Sequence, residues 1–133
     1  MNDSKVNEPF LDEINDSFFE ITKKGAFILG DSVKNFENNF SKYVGSSWCV
    51  GVNSGSDALK IALIANGIKR NDQVIVPEHT FIATWQSVVE IGAIPIPCRI
   101  KNKDFLIDED HISKLINPKV RGIVPVHLYG NSC

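Results

Sequence analysis

Apolar residues recur along the first third of the chain at helical intervals. Phe10, Ile14, Phe18 and Ile21 are spaced four, four and three apart, and Pro9 ahead of them suits a first helical position. Lys23-Lys24 followed by Gly25 reads as the last turn and stop of that helix. A second helix is predicted from near Ser32 to Tyr43, with Val33, Phe36 and Phe40 on one side and Gly45 after it. Ala26-Phe27-Ile28-Leu29-Gly30 is a short apolar connector between the two.

From Trp48 onward the period changes. Trp48-Cys49-Val50-Gly51-Val52 reads as a short strand, and Ala58-Leu59, Ile61-Ala62-Leu63 and Ala65 as a helix ending at Asn66-Gly67. Gln73-Val74-Ile75-Val76-Pro77 is a second strand, followed by a helix over about Ile82–Glu90. The prolines of Ile94-Pro95-Ile96-Pro97 cannot donate to a ladder, so that strand belongs near a sheet edge or strand end. Asp108 is placed to cap a helix carrying Ile112, Leu115 and Ile116, and Gly122-Ile123-Val124-Pro125-Val126 reads as a last strand. Strands alternating with helices predict an α/β class with a largely parallel sheet. Sites in such sheets gather where strands end and turns lead into helices, here after Val52, Val76 and Val126.

Composition adds exclusions. The 133 residues suffice for one cored domain, and 43% hydrophobic with 23% charged residues is ordinary globular usage. A net charge of -2, with no basic run longer than Lys23-Lys24 or Lys69-Arg70, gives no electrostatic reason to expect nucleic acid or an anionic membrane. The polar start leads to no signal-like apolar run, and nothing approaches the roughly 18 apolar residues of a membrane span. Cys49, Cys98 and Cys133 are odd in number and far apart, which suits reduced thiols in a cytoplasm rather than a disulfide framework or a zinc site. His79, His111 and His127 form no ligand cluster in sequence.

Three turns hold candidate chemistry. In Asn53-Ser54-Gly55-Ser56, a helix N-terminus offers unpaired N–H groups and a favourable dipole to an anion. Gly55 admits close approach, and Ser54 or Ser56 can add a hydroxyl. Either serine can equally be a plain helix cap. Neither a Walker loop nor Gly-x-Gly-x-x-Gly is present. After the second strand, Phe81 or Trp85 can stack on a planar cofactor or serve as core side chains. His127 and Tyr129 can contact a ligand or satisfy local hydrogen bonds.

The order of motifs resembles the DegT/DnrJ/EryC1/StrS aminotransferase family. It is carried by Phe27-Ile28-Leu29-Gly30, Phe36-Glu37, Tyr43-Val44-Gly45, Val52-Asn53-Ser54-Gly55-Ser56-Asp57-Ala58-Leu59 and Asp72-Gln73-Val74-Ile75-Val76-Pro77. Thr80-Phe81-Ile82-Ala83-Thr84, Gly92-Ala93-Ile94-Pro95, Ile107-Asp108 and Pro125-Val126-His127-Leu128-Tyr129-Gly130 complete the series. The resemblance implies the N-terminal part of the αβα-sandwich large domain of type I pyridoxal-phosphate enzymes. Residues 1–46 would form a helical segment and residues 47–133 part of the cofactor-binding large domain. Gly55 and Ser56 would hold the cofactor phosphate, Ser56 standing where the family often has threonine, and Phe81 would stack on the pyridine ring. Thr84-Trp85-Gln86-Ser87-Val88 leans toward members that aminate the 3-keto carbon of a nucleotide-linked 6-deoxyhexose. Glutamate would be the amino donor and a homodimer the assembly. The Schiff-base lysine and the carboxylate facing the ring nitrogen lie beyond the equivalent of Gly130 in the family. Lys60, Lys69, Lys114 and Asp57 stand at other positions, so this chain is expected to supply no catalytic residue and to be inactive by itself. Two other readings remain at this point, a related sugar dehydratase and a non-catalytic product of a broken gene.

Overall fold

A computed structural model describes residues 4–133. They fall into two compact units, one up to Gly51 and one over Val52–Cys133. In the first, a helical turn α1 (Ser4–Asn7) and a 3-10 turn (Glu8–Phe10) lead into α2 (Leu11–Lys24). The α-helix thus starts two residues after Pro9, the expected first helical residue, which sits instead in the 3-10 segment, where its missing N–H costs nothing. Gly25 ends α2 at φ 64°, and Gly45 ends α3 (Asp31–Val44) at φ 72°. Both take the left-handed conformation that only glycine adopts without a Cβ penalty. The apolar stripes of α2 and α3 lie where the periodicity puts them, yet neither helix buries a residue.

The second unit contains α4 (Gly55–Ala65), β1 (Gln73–Pro77), α5 (Ile82–Glu90), β2 (Ile94–Cys98), α6 (Glu109–Leu115) and β3 (Val120–Ile123). All strands are parallel in the order β2-β1-β3. The chain therefore moves from β1 to one side and then crosses back over β1 to the other. Right-handed crossovers in opposite directions place their helices on opposite faces of a sheet. The cores show this. Val74 and Val76 pack with Leu63, Ile68, Val88 and Ala93 on the α4–α5 side, while Ile75 packs with Cys98, Ile107, Ile112 and Leu115 on the α6 side. β1 is covered on both faces, which is why its run Val74-Ile75-Val76 is apolar without alternation. The unit is a three-layer αβα arrangement.

Two strand expectations need correction. Trp48–Val52 is not a strand: it has no ladder partner among the described residues, and Trp48 is 86% exposed. Its backbone bonds go elsewhere, the Gly51 N–H donating to Glu37 Oε1 at 2.7 Å and the Trp48 carbonyl accepting from Ser46 Oγ at 2.9 Å. The last strand runs from Val120 to Ile123 rather than from Gly122 to Val126. A register shift lies where Val120, Arg121 and Gly122 oppose Gln73 and Val74, and at Gly122 a Cβ would come within 3.2 Å of Ile68 Cδ1. One further bond, Val124 N–H to the Ile75 carbonyl at 2.9 Å, extends the ladder before Pro125, which has no N–H to give. The expected edge position of the proline-bearing β2 is observed, with β1 on one side of it only.

Candidate functional site

Two features are candidates, the N-terminus of α4 and the loops beyond the carboxyl ends of β1 and β3. The first is the opening turn of α4. Ser54 is its N-cap, in extended conformation at φ -155° and ψ 164°, and its Oγ accepts from the Asp57 N–H at 3.1 Å. The same hydroxyl donates to Asp57 Oδ2 at 2.9 Å, a reciprocal arrangement that closes the turn. Capping therefore falls to Ser54 and not to Ser56. Among the described residues no group accepts from the Gly55 or Ser56 N–H, and the Ser56 hydroxyl has no partner. A Cβ built on Gly55 would meet open space. Two amides and a hydroxyl at the positive end of an eleven-residue helix are a donor set that matches a phosphate.

The turn carries charge of its own. Lys60 Nζ lies 2.8 Å from Asp57 Oδ1 and 2.9 Å from Glu90 Oε2, joining α4 to the end of α5. The hydrogen bond from Lys60, with a second from Ser54, holds the Asp57 carboxyl below the ordinary carboxylate range; bonds to Asp57 and Glu90 hold the Lys60 amine above its own. Asp57 and Lys60 therefore form a charged pair at neutral pH. This bridge was not legible in the sequence, where Glu90 lies thirty positions from Lys60.

The second feature is the set of loops beyond β1 and β3, where the strand order reverses and α/β sheets open a crevice. Phe81 caps α5 and is 77% exposed. Trp85, one turn on, packs against the core and donates its indole N–H to the Pro77 carbonyl at 3.2 Å. The two aromatics thus divide: Trp85 is a core residue, and Phe81 presents its ring to solvent at the start of a helix in the same layer as α4. No hydrogen bond or ring pairing joins Phe81 to Gly55 or Ser56 among the described residues.

Next to Phe81, His79 Nε2 is 3.2 Å from the Tyr129 hydroxyl, which links the β1 loop to the β3 loop. Phe105 meets Tyr129 edge to face at 5.6 Å, and both are held at positive φ, 60° and 55°. Phe105 had no sequence signal as a site neighbour. His127 faces away from this cluster chemically, its Nδ1 accepting from the Cys133 N–H at 2.9 Å. His111 Nδ1 accepts from the Arg99 N–H at 2.9 Å. His127 thus satisfies a local hydrogen bond, whereas the Tyr129 hydroxyl reaches His79, fifty residues earlier in the chain.

The sequence pattern of the DegT/DnrJ/EryC1/StrS aminotransferase family matches residues 10–133. A dTDP-3-amino-3,4,6-trideoxy-alpha-D-glucose transaminase of Micromonospora megalomicea subsp. nigra is 39% identical over 118 residues, covering 89% of this chain and 32% of that protein. The erythromycin biosynthesis sensory transduction protein EryC1 of Saccharopolyspora erythraea is 37% identical, over 95% of this chain and 37% of that one. Among solved structures, DesV of S. venezuelae superposes with a TM-score of 0.92 at 37% identity, covering 97% of this chain and 35% of DesV. The ntda protein of Bacillus subtilis, solved with bound cofactor pmp, gives 0.89 at 35% identity, over 92% of this chain and 28% of that one. The chain spans about a third of the length of these relatives. The likenesses bear out the expected family and the expected fold class, part of an αβα large domain with a mostly parallel sheet.

Proposed function

The chain belongs to the DegT/DnrJ/EryC1/StrS aminotransferase family, and from that membership and the α4 turn we propose that it is the N-terminal portion of a pyridoxal-phosphate-dependent sugar aminotransferase. Residues 47–133 carry its share of the cofactor site, and residues 1–46 are the helical segment ahead of it. The observation that carries this reading is the first turn of α4, whose Gly55 and Ser56 donors have no partner among the described residues once Ser54 has taken the cap. When bound, pyridoxal phosphate supplies the electron sink that makes amino transfer accessible. Gly55 and Ser56 hold its phosphate through two N–H groups and a hydroxyl. Ser54 and Asp57 keep the turn closed so that those donors stay aligned. Phe81 offers a ring face to the pyridine and shields it from water on that side.

The substrate proposed is a nucleotide-linked keto-deoxysugar, with a lean to the 3-keto-6-deoxyhexose class. Support comes from the Thr84–Val88 segment and from the relatives, among them a dTDP-3-amino-3,4,6-trideoxy-alpha-D-glucose transaminase and a dTDP-3-amino-3,6-dideoxy-alpha-D-galactopyranose transaminase. Glutamate as amino donor, a homodimeric assembly and a cytoplasmic setting complete the proposal. Among the described residues no helix is long and apolar enough to cross a membrane.

The test is a ³¹P NMR titration of pyridoxamine phosphate with the purified chain, paired with a fluorescence titration of pyridoxamine. The phosphorylated form is expected to bind at least tenfold more tightly, the worth of about 1.4 kcal/mol of phosphate recognition. Equal affinity for the two would remove the phosphate role from the α4 turn.

A further inference from the structure

We infer that Lys60 is a positioning residue for the phosphate, offsetting the Asp57 carboxylate so that the α4 turn accepts a second anion. This deepens the phosphate reading above and rests on it. Lys60 follows Ser56 by four residues and Asp57 by three, so it is a helix-surface neighbour of each. Helix side chains lean toward the N-terminus, which carries the Lys60 amine back to the opening turn. It reaches Asp57 Oδ1 at 2.8 Å, with both side chains about one-third exposed.

Asp57 cannot swing away without loss. Its Oδ2 accepts from the Ser54 hydroxyl, and its N–H is the donor that Ser54 caps. The cap therefore fixes a negative charge one residue from Ser56, at the helix end where a phosphate would sit. A lone carboxylate there favours the helix but repels an incoming phosphate. The Lys60 ammonium, in contact with that carboxylate, cancels much of the repulsion. Glu90, its second partner at 2.9 Å, adds a negative charge from α5 that Lys60 also answers. Replacing Lys60 by a neutral residue leaves two carboxylates uncompensated beside the turn.

A purely mechanical role, tying α4 to α5, predicts something different, and Glu90 separates the two. If the tie matters, Glu90→Gln weakens the joint as Lys60→Gln does. If charge matters, Glu90→Gln removes an anion and leaves the Lys60–Asp57 pair intact.

The experiment is the paired titration of pyridoxamine phosphate and pyridoxamine on the full chain, wild type and three variants, at low and high salt. Lys60→Gln is expected to bind pyridoxamine phosphate about three- to tenfold more weakly and pyridoxamine unchanged, with the difference shrinking toward ~1 M salt. Lys60→Arg keeps wild-type discrimination within about twofold, and Glu90→Gln matches or exceeds wild type. Loss in Glu90→Gln equal to that in Lys60→Gln, or equal loss of both ligands in Lys60→Gln, overturns the inference. So does wild-type discrimination retained by Lys60→Gln. Absence of discrimination in the wild type instead overturns the phosphate reading, and the Lys60 role with it. Should Lys60→Gln fail to fold, a loss of discrimination in Glu90→Gln or in Lys60→Arg still refutes the charge role, and its retention in both upholds it.

Discussion

Ser54 and Ser56 lie two residues apart; the structure makes Ser54 the cap, the proposal makes Ser56 a phosphate ligand, and a pair of alanine substitutions separates the two. Ser54 Oγ accepts from the Asp57 N–H at 3.1 Å and its hydroxyl donates a hydrogen bond to Asp57 Oδ2 at 2.9 Å. Removing an N-cap of this kind costs about 1 kcal/mol, within a range of roughly 0.5–2. For a domain near this size, that lowers the melting temperature by about 4–8 °C. The Ser56 hydroxyl makes no hydrogen bond among the described residues, so Ser56→Ala has no native side-chain hydrogen bond to lose and should melt within about 0.5 kcal/mol of wild type. On ligand titration the order inverts. A hydrogen bond from Ser56 to a charged phosphate is worth about 1.5–3 kcal/mol, so Ser56→Ala should bind pyridoxamine phosphate roughly ten- to a hundredfold more weakly. Ser54→Ala should bind within a few-fold of wild type at a temperature where both are folded. Urea melts followed by circular dichroism, together with the ³¹P titration, measure all four quantities. Ser56→Ala destabilised by a kcal/mol with unchanged affinity would show that Ser56 is the cap and would refute the division of roles.

Trp85→Ala should destabilise the second unit by about 3 kcal/mol through lost core packing, whereas Phe81→Ala should leave the melt unchanged and weaken cofactor binding. Thermal melts and the ligand titration read the two effects. Lys60 is held between Asp57 and Glu90, so borohydride reduction after incubation with pyridoxal phosphate should label no lysine stoichiometrically; peptide mapping that finds one fully labelled site would contradict this. Asp57 and Glu109 are both depressed, chiefly by hydrogen bonds from Lys60 and Lys101. The unfolded state then binds more protons near pH 4, so their contribution is present above the unfolded carboxylate values and is lost as pH falls through the folded ones. Acid titration of the melt should show that loss below about pH 4, and Asp57→Asn should shrink it. Hydrogen exchange should proceed faster in α2 and α3, which bury no residue, than in Val74–Val76, which are fully buried; equal protection would mean that the exposed helices are covered in solution.

Much of the fold was legible because periodicity reports burial. Gln73–Pro77 and Ile82–Glu90 are observed at the residues the pattern marks, one a run covered on both faces and the other a helix with Val88 buried on one. Failure came where a strand's existence depends on its neighbour. Trp48–Val52 has the composition of a strand, but composition cannot supply the ladder that makes it one, and its Gly51 N–H turns to the Glu37 side chain. The last strand was placed two residues late for a related reason. Val120, Arg121 and Gly122 pair against Gln73 and Val74 through an irregular register, and such a register leaves no period to read.

The site shows the same limit on a smaller scale. Asn53-Ser54-Gly55-Ser56 announces a helix start, and both serines meet the chemical requirement of a cap. Which one caps is decided by backbone angle: extended dihedrals at Ser54 turn its Oγ back onto the Asp57 N–H, three residues on. Ser56, already inside the helix, is then left with a hydroxyl and an N–H unmatched among the described residues. The capping explanation and the phosphate explanation compete in the sequence, whereas in the structure a cap at Ser54 is compatible with the phosphate contact proposed for Gly55 and Ser56. Satisfying the Asp57 amide at Ser54 fixes the turn and leaves the Gly55 and Ser56 donors available. It also fixes the Asp57 carboxylate in place, and Lys60 is what keeps that charge from closing the turn to an anion.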